Sequence, residues 1–156
     1  MLVEDLLHYS PLRLISTAPQ TLVSETAQRM AHYNIGFVVV MDDDDKVVGV
    51  LSERDIVKGF GDEEHSIEEA IVGDLMTESV ITVSPTASVI DTVPIMNTHS
   101  IRHLLVVQAG KPVGVVSIRD LLRVFANQLL KLDGDTDDGD TDDGGKMGLV
   151  RNLAAI

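Results

Sequence analysis

The stretch VGVLSERDIV at residues 48–57 returns as VGVVSIRDLL at residues 113–122, with six of its ten positions identical. Both copies keep a Gly, a Ser and an Asp where an apolar run typical of a strand gives way to the period of a helix. In α/β proteins, ligands bind beyond the carboxyl ends of strands, next to such junctions. The chain therefore contains an internal duplication, and the repeated junction is its first candidate site.

The duplication extends upstream of this stretch. Residues 19–30 match residues 85–96, and Val38–Val40 match Leu104–Val106. The offset changes by one residue between Met41–Lys46 and Val107–Lys111, two segments that are typical of turns, where a deletion costs least. An open array of repeats needs at least three copies, so we expect two copies to pack against each other.

Each copy predicts the order strand, helix, strand, strand, helix. The elements predicted for the first copy are Leu14–Thr17, a helix from Leu22 to Tyr33, strands Phe37–Met41 and Val47–Leu51, and a helix from Glu53. Those of the second are Val80–Val83, a helix that can start at Ser84–Thr86 and runs to Asn97, strands Arg102–Val107 and Pro112–Ser117, and a helix that includes Leu121–Leu130. Pro94 lies inside a predicted helix, where we expect a kink.

We predict three regions along the chain. Residues 1–65 form the first repeat with its lead-in and linker, residues 66–132 form the second repeat, and residues 133–156 form a disordered tail rich in Asp and Gly. Ser66 and Glu69 have the spacing of a capping box for a connecting helix. The tail begins like a calcium loop at Asp133, but Asp138 stands where such a loop needs Gly.

Composition excludes several classes of function. The 156 residues include no Cys, so disulfides and thiolate chemistry are absent. The net charge of −13 repels phosphate backbones and argues against nucleic-acid binding. No apolar run approaches the roughly 18 residues of a membrane span, and we expect a cytoplasmic protein without a membrane partner. The histidines do not form a convincing metal site, and no nucleophile is paired with a base, so we expect neither a metal nor an enzyme.

The repeated Ser-x-x-Asp has two interpretations. A Ser followed three residues later by an acid is a capping box, which satisfies the first amides of a helix. The alternative is a ligand site, because Gly49 and Gly114 lie three residues before each Ser and would let the backbone approach a ligand closely. The spacing alone leaves both interpretations open.

The sequences GVLSERD at 49–55 and GVVSIRD at 114–120 resemble the Gly-hydrophobic-hydrophobic-Ser/Thr-x-x-Asp signature of the cystathionine-β-synthase-type (CBS) domain. Asp74-Leu75-Met76 and Ile101-Arg102-His103-Leu104 resemble the same family, and the similarity covers residues 3 to about 130. Two such domains in tandem are known as a Bateman module. The resemblance implies an α/β (α+β) fold of two βαββα repeats related by a pseudo-twofold axis, each a three-stranded sheet with helices outside.

The resemblance also implies two clefts that bind adenosyl compounds such as AMP, ATP, NAD or S-adenosylmethionine, with each Asp accepting hydrogen bonds from ribose. One cleft would use Ser52, Arg54, Asp55, Val80, Ile81, Ile101, Arg102 and His103. The other would use Ser117, Arg119, Asp120, Leu14, Ile15, Ile35, Gly36 and Phe37. We expect Arg102 and His103 to favour phosphate in the first cleft, increasingly as the pH falls toward ~6, whereas Gly36 and Phe37 offer the second cleft no charge.

The expected function is that of a regulatory module which senses an adenosine nucleotide, requires no cofactor, and signals to a protein partner that the sequence does not identify. An apolar stripe on the Leu121–Leu130 helix further predicts a homodimer, a disc of four repeats. The alternative is a dimerisation or interaction module that works without a ligand. Binding of AMP, ATP or NAD would distinguish these two functions.

Overall fold

Two three-stranded sheets carry the two copies of the repeat. The structure is a computed structural model that describes residues 1–9, 14–61 and 69–134. Its helices are α1 (Val3–Tyr9), α2 (Val23–Tyr33), α3 (Glu53–Phe60), α4 (Val72–Leu75), α5 (Val89–Thr98) and α6 (Ile118–Gly134). Its strands are β1 (Ser16–Thr17), β2 (Phe37–Met41), β3 (Val47–Ser52), β4 (Thr82–Val83), β5 (His103–Gln108) and β6 (Lys111–Ser117). Both sheets lie within one compact unit, Met1–Arg123.

The two sheets have the same topology. Their strand orders are β1-β2-β3 and β4-β5-β6, with the first pair parallel and the second antiparallel in each. Even the register is repeated, since Ser16 pairs with Val39 where Thr82 pairs with Leu105. The predicted βαββα order and the fold class are confirmed.

The central strands are buried on both faces. Val38, Val40 and Leu51 belong to a core cluster on the helix side of the first sheet, together with Val23 of α2. Val39 points the opposite way and belongs to a second cluster with Leu105, which lies between the two sheets. Because alternate side chains of a strand point to opposite faces, one run of valines supplies both cores.

Each lead-in helix pairs with the opposite repeat. The backbone amide of Val3 in α1 donates to the carbonyl of Ala87 (3.0 Å), and that of Val72 in α4 donates to the carbonyl of Thr21 (2.8 Å). These two bonds join equivalent positions, as do the next pair, from Glu4 to Pro85 and from Gly73 to Pro19. The exchange of lead-in helices ties the repeats together with pseudo-twofold symmetry.

The repeated glycines serve this helix exchange. A Cβ atom on Gly49 would lie 2.7 Å from Met76 Sδ, and one on Gly114 would lie 2.6 Å from Leu7 Cδ2. Met76 directly follows α4 and Leu7 belongs to α1, so each glycine admits a side chain from a lead-in segment. The expectation that these glycines let the backbone approach a ligand is wrong, because protein atoms fill the space beside them.

Helix α5 starts later than predicted. Ser84–Thr86 forms a turn in which the Thr86 amide donates to Ser84 Oγ (3.2 Å), and the helix begins at Val89. The carbonyls of Pro85 and Ala87 accept bonds from α1, so they are not available to start a helix. Pro94 does lie inside α5, as expected, and the kink there stays a prediction.

Ser66 and the part of the predicted tail that begins at residue 135 lie outside the described residues. Asp133 and Gly134, the first two residues of the predicted tail, belong to α6.

Candidate functional site: two clefts between the repeats

The Ser-x-x-Asp of each repeat forms a capping box at a helix start. The backbone amide of Ser52 donates to Asp55 Oδ2 (2.9 Å), the Ser52 hydroxyl donates to the same oxygen (2.6 Å), and Ser52 Oγ accepts from the Asp55 amide (3.4 Å). Ser117 and Asp120 make the same three bonds. The capping interpretation is therefore confirmed, and it does not exclude a ligand role, since the bonds hold each carboxylate in a fixed place.

The two carboxylates differ in their surroundings. Asp55 is half-buried, and its hydrogen bonds within the described residues use Oδ2. Asp120 is buried with 7% of its surface exposed, and its Oδ1 lies 3.6 Å from Arg123 Nη2. Asp55 is thus the more accessible of the two to a ligand that enters from solvent.

The larger cavity, which we name the Asp55 cleft, has a volume of about 350 Å³. Ser52, Arg54 and Asp55 from the first repeat face residues that directly precede β4 and β5, together with His103 at the start of β5. All eight residues predicted for this cleft line it: Ser52, Arg54, Asp55, Val80, Ile81, Ile101, Arg102 and His103. The structure therefore brings the complete predicted set together.

The second cavity, which we name the Asp120 cleft, is smaller, at about 230 Å³. Seven of the eight residues predicted for it line the wall: Ser117, Arg119, Asp120, Ile15, Ile35, Gly36 and Phe37. Leu14 is absent from this wall, and its side chain packs against the cluster between the sheets. Its equivalent in the second repeat, Val80, contacts that cluster and also lines the Asp55 cleft.

Arg102 and His103 line both clefts. The expectation that only the Asp55 cleft receives them is therefore wrong. His103 stacks on Phe37, its equivalent in the first repeat, with ring centroids 5.1 Å apart and planes 25° from parallel. Side chains next to the pseudo-twofold axis border a cavity on each side. Assigning each residue to one cleft from its position in the family motif does not reveal this.

His103 is neutral at physiological pH. Burial, with a smaller effect of the neighbouring Arg102 and against the opposing effect of Asp120, lowers the pKa of its imidazole from 6.5 to about 4. The expectation that His103 gains a proton and attracts phosphate near pH 6 is therefore wrong. At that pH the ring is an uncharged stacking surface between the two clefts.

Several residues line the clefts without having been predicted. Lys58 borders the Asp55 cleft, and its position four residues after Arg54 on α3 puts both cations on one helix face, a signal present in the sequence. Arg54 Nη1 itself donates to the carbonyl of Ser100 in the other repeat (2.9 Å). Glu53 borders the Asp120 cleft, and no sequence pattern indicated that its side chain reaches across.

His99 and His103 both line the Asp55 cleft. Within residues 1–9, 14–61 and 69–134, no group of three His, Asp or Glu side chains is placed to hold a metal ion. The cleft walls instead combine apolar side chains, a fixed carboxylate and cations, which suits a ligand with an apolar ring, hydroxyls and charge.

The CBS domain family matches this chain twice, at residues 3–62 and 72–127. The chain belongs to the CBS-domain family. An uncharacterised 17.7 kDa protein of Acidianus ambivalens is 38% identical over 106 residues, which are 67% of this chain and 63% of that protein. The chain spans between about half and two thirds of the length of the first curated relatives it matches.

Two similar CBS-domain structures hold adenosyl ligands. The CBS-domain pair of protein MJ0100, in complex with 5′-methylthioadenosine and S-adenosylmethionine, has a TM-score of 0.73 and 26% identity, covering 82% of this chain and 98% of its own. The CBS-domain protein PAE2072 of Pyrobaculum aerophilum, complexed with AMP, has a TM-score of 0.71 and 29% identity, covering 84% and 99%. In the described part of the present chain, no helix is both long and apolar enough to span a membrane.

Proposed function

We propose that this chain is a regulatory module that binds adenosine nucleotides in the Asp55 and Asp120 clefts and signals their presence to a partner protein. The observation that carries the proposal is the pair of helix-capping carboxylates, Asp55 and Asp120. One lies on the wall of each cleft, and the same three capping-box hydrogen bonds hold each of them in place. A fixed carboxylate can accept hydrogen bonds from both hydroxyls of a ribose. The AMP and S-adenosylmethionine complexes of the two neighbours support this ligand class.

The walls of the Asp55 cleft suit the other parts of a nucleotide. Val80, Ile81 and Ile101 offer an apolar surface for an adenine ring. Arg54 lies on the first turn of α3, where the amides at a helix start also favour an anion, and Lys58 lies in the last turn of the same helix. We therefore assign the base to the strand side of this cleft and the phosphate to its helix side.

Calorimetric titration with AMP, ATP, NAD and S-adenosylmethionine tests the proposal. We expect saturable binding of at least one of them, and loss of that binding in the double variant Asp55→Ala/Asp120→Ala. The matched control is Asp5→Ala/Asp74→Ala, because these carboxylates accept the same kind of capping bond, from Leu2 and Ile71, and line neither cleft. No binding by the unaltered chain, or equal binding by the double variant, contradicts the proposal.

A homodimer is part of this proposal. Val57 and Phe60 on α3, and Leu122 at the position equivalent to Val57 on α6, are each more than 60% exposed. Exposed apolar side chains of this size are typical of an interface. Light scattering at micromolar concentration should give twice the 16.9 kDa mass of the chain, and a monomer would contradict the dimer.

The same exposed side chains favour a second candidate function, an interaction module whose clefts bind no ligand. It predicts a dimer with no nucleotide binding, so the titration distinguishes the two. The cytoplasmic location and the absence of catalysis stay predictions. Neither proposal requires a cofactor.

A further inference from the structure

We infer that Glu53 sets the ligand preference of the Asp120 cleft, so that this cleft takes an adenosyl compound with an uncharged or cationic substituent, such as a thioether or a sulfonium, in place of a phosphate. The inference rests on the proposed function and deepens it, because it assigns different ligand classes to the two clefts. It depends on the position of one carboxylate and on the charge balance of the two walls.

The Glu53 side chain lies on the wall of the Asp120 cleft, against the backbone of Gly36. A Cβ atom on Gly36 would lie only 2.8 Å from Glu53 Oε2, and the Glu53 amide donates to the Gly36 carbonyl (3.1 Å). Glu53 thus borders the cleft whose Ser-x-x-Asp comes from the other repeat. Its carboxylate adds a negative charge to the wall of this cleft.

The equivalent positions in the second repeat carry the opposite character. Arg102 stands where the first repeat has Gly36, and Ile118 stands where it has Glu53, with the same amide-to-carbonyl bond between them (2.9 Å). One repeat therefore presents an acid at this junction and the other presents a base. Because the backbone bond is preserved, the difference lies in the side chains.

The charge balance of the two clefts follows this difference. Among the described residues, Arg54, Lys58 and Arg102 line the Asp55 cleft against one carboxylate, that of Asp55. In the described part of the Asp120 cleft, Arg102 and Arg119 line the wall against two carboxylates, Glu53 and Asp120, and Arg123 Nη2 lies 3.6 Å from Asp120 Oδ1. A phosphate gains from an excess of positive charge and loses beside a carboxylate, whereas a sulfonium does the reverse.

Titration of an Asp55→Ala background, in which the Asp120 cleft keeps its carboxylate, tests the inference with three probes: S-adenosylmethionine, AMP and the uncharged 5′-methylthioadenosine. We expect S-adenosylmethionine to bind more tightly than AMP. Adding Glu53→Gln should lower the ratio of the two affinities about tenfold, a modest change because Glu53 is exposed to solvent. Affinity for 5′-methylthioadenosine should change less than twofold, because that ligand has no charge to discriminate.

Glu78→Gln is the matched control, because Glu78 is an exposed acid that lines neither cleft. AMP binding as tightly as S-adenosylmethionine before Glu53 is changed would overturn the inference. So would an unchanged ratio in Glu53→Gln, or an equal change in Glu78→Gln. Binding without charge discrimination overturns this inference alone, whereas no binding of any probe by the unaltered chain overturns the proposed function as well.

Discussion

The Asp55 cleft and the Asp120 cleft are built from equivalent elements, yet their walls differ in charge, volume and burial. The capping bonds of Ser52 and Ser117, and the amide-to-carbonyl bonds of Glu53 and Ile118, are the same in both repeats. The differences lie in side chains that the backbone does not constrain, such as Gly36 against Arg102. Duplication therefore supplied two copies of one scaffold, and a few substitutions made their chemistry unequal.

The largest expected effect separates the two clefts by their carboxylates. Asp55→Ala should weaken AMP binding about a hundredfold, because two charge-assisted hydrogen bonds to ribose, together about 3 kcal/mol, are lost. Asp120→Ala should leave AMP affinity within a fewfold of the unaltered chain, because AMP prefers the more cationic cleft. Calorimetry measures both affinities, with Asp74→Ala as the control for a lost helix cap. Equal losses in the two single variants would show that the clefts do not differ as described.

The next effect concerns Phe37 and His103, which occupy equivalent positions. The pKa of His103 falls from 6.5 to about 4 on folding. The neutral ring therefore makes its full contribution to the free energy of unfolding above pH 6.5, where it is neutral in both the folded and the unfolded chain. This contribution, at most about 3 kcal/mol, is lost as the pH falls from 6.5 to about 4. His103→Phe keeps an aromatic ring beside Phe37 and removes the titration, so its stability should fall less steeply over that range.

Chemical denaturation at several pH values between about 7 and 4 measures this slope. His32→Phe is the control, because His32 is exposed and borders neither cleft. A pH dependence that His103→Phe leaves unchanged would contradict the neutral, buried state of His103.

A smaller effect tests Arg102, a cation that lines both clefts. Arg102→Ala should weaken AMP about tenfold, the loss of one charge-assisted interaction discounted for solvent exposure, and leave adenosine nearly unchanged. Titration of both ligands measures the difference. If adenosine and AMP lose the same affinity, Arg102 does not contact phosphate, and the difference between the clefts rests on Arg54, Lys58 and Glu53.

The fold could be predicted from the sequence in detail because the duplication shows the hydrophobic pattern of its helices and strands twice, once in each repeat. Strand β2 begins and ends where the pattern predicted, at Phe37 and Met41. The start of α5 could not be predicted, because Pro85 and Ala87 are held by hydrogen bonds from α1, a segment more than eighty residues away in sequence. Local signals do not report such long-range bonds.

The walls of the clefts could be predicted by residue, but their electrostatics could not. The predicted lining residues converge, with the exception of Leu14. The reach of Arg102 into both clefts, the burial that lowers the pKa of His103, and the position of Glu53 against Gly36 all depend on how the sheets face each other. These features arise near the pseudo-twofold axis, where residues distant in sequence share one wall.

A crystal structure of the chain with AMP tests the central claim most directly. The account predicts AMP in the Asp55 cleft, with both ribose hydroxyls within hydrogen-bonding distance of the Asp55 carboxylate and the phosphate facing Arg54, Lys58 or Arg102. AMP bound outside both clefts, or bound with its ribose turned away from Asp55, would contradict it.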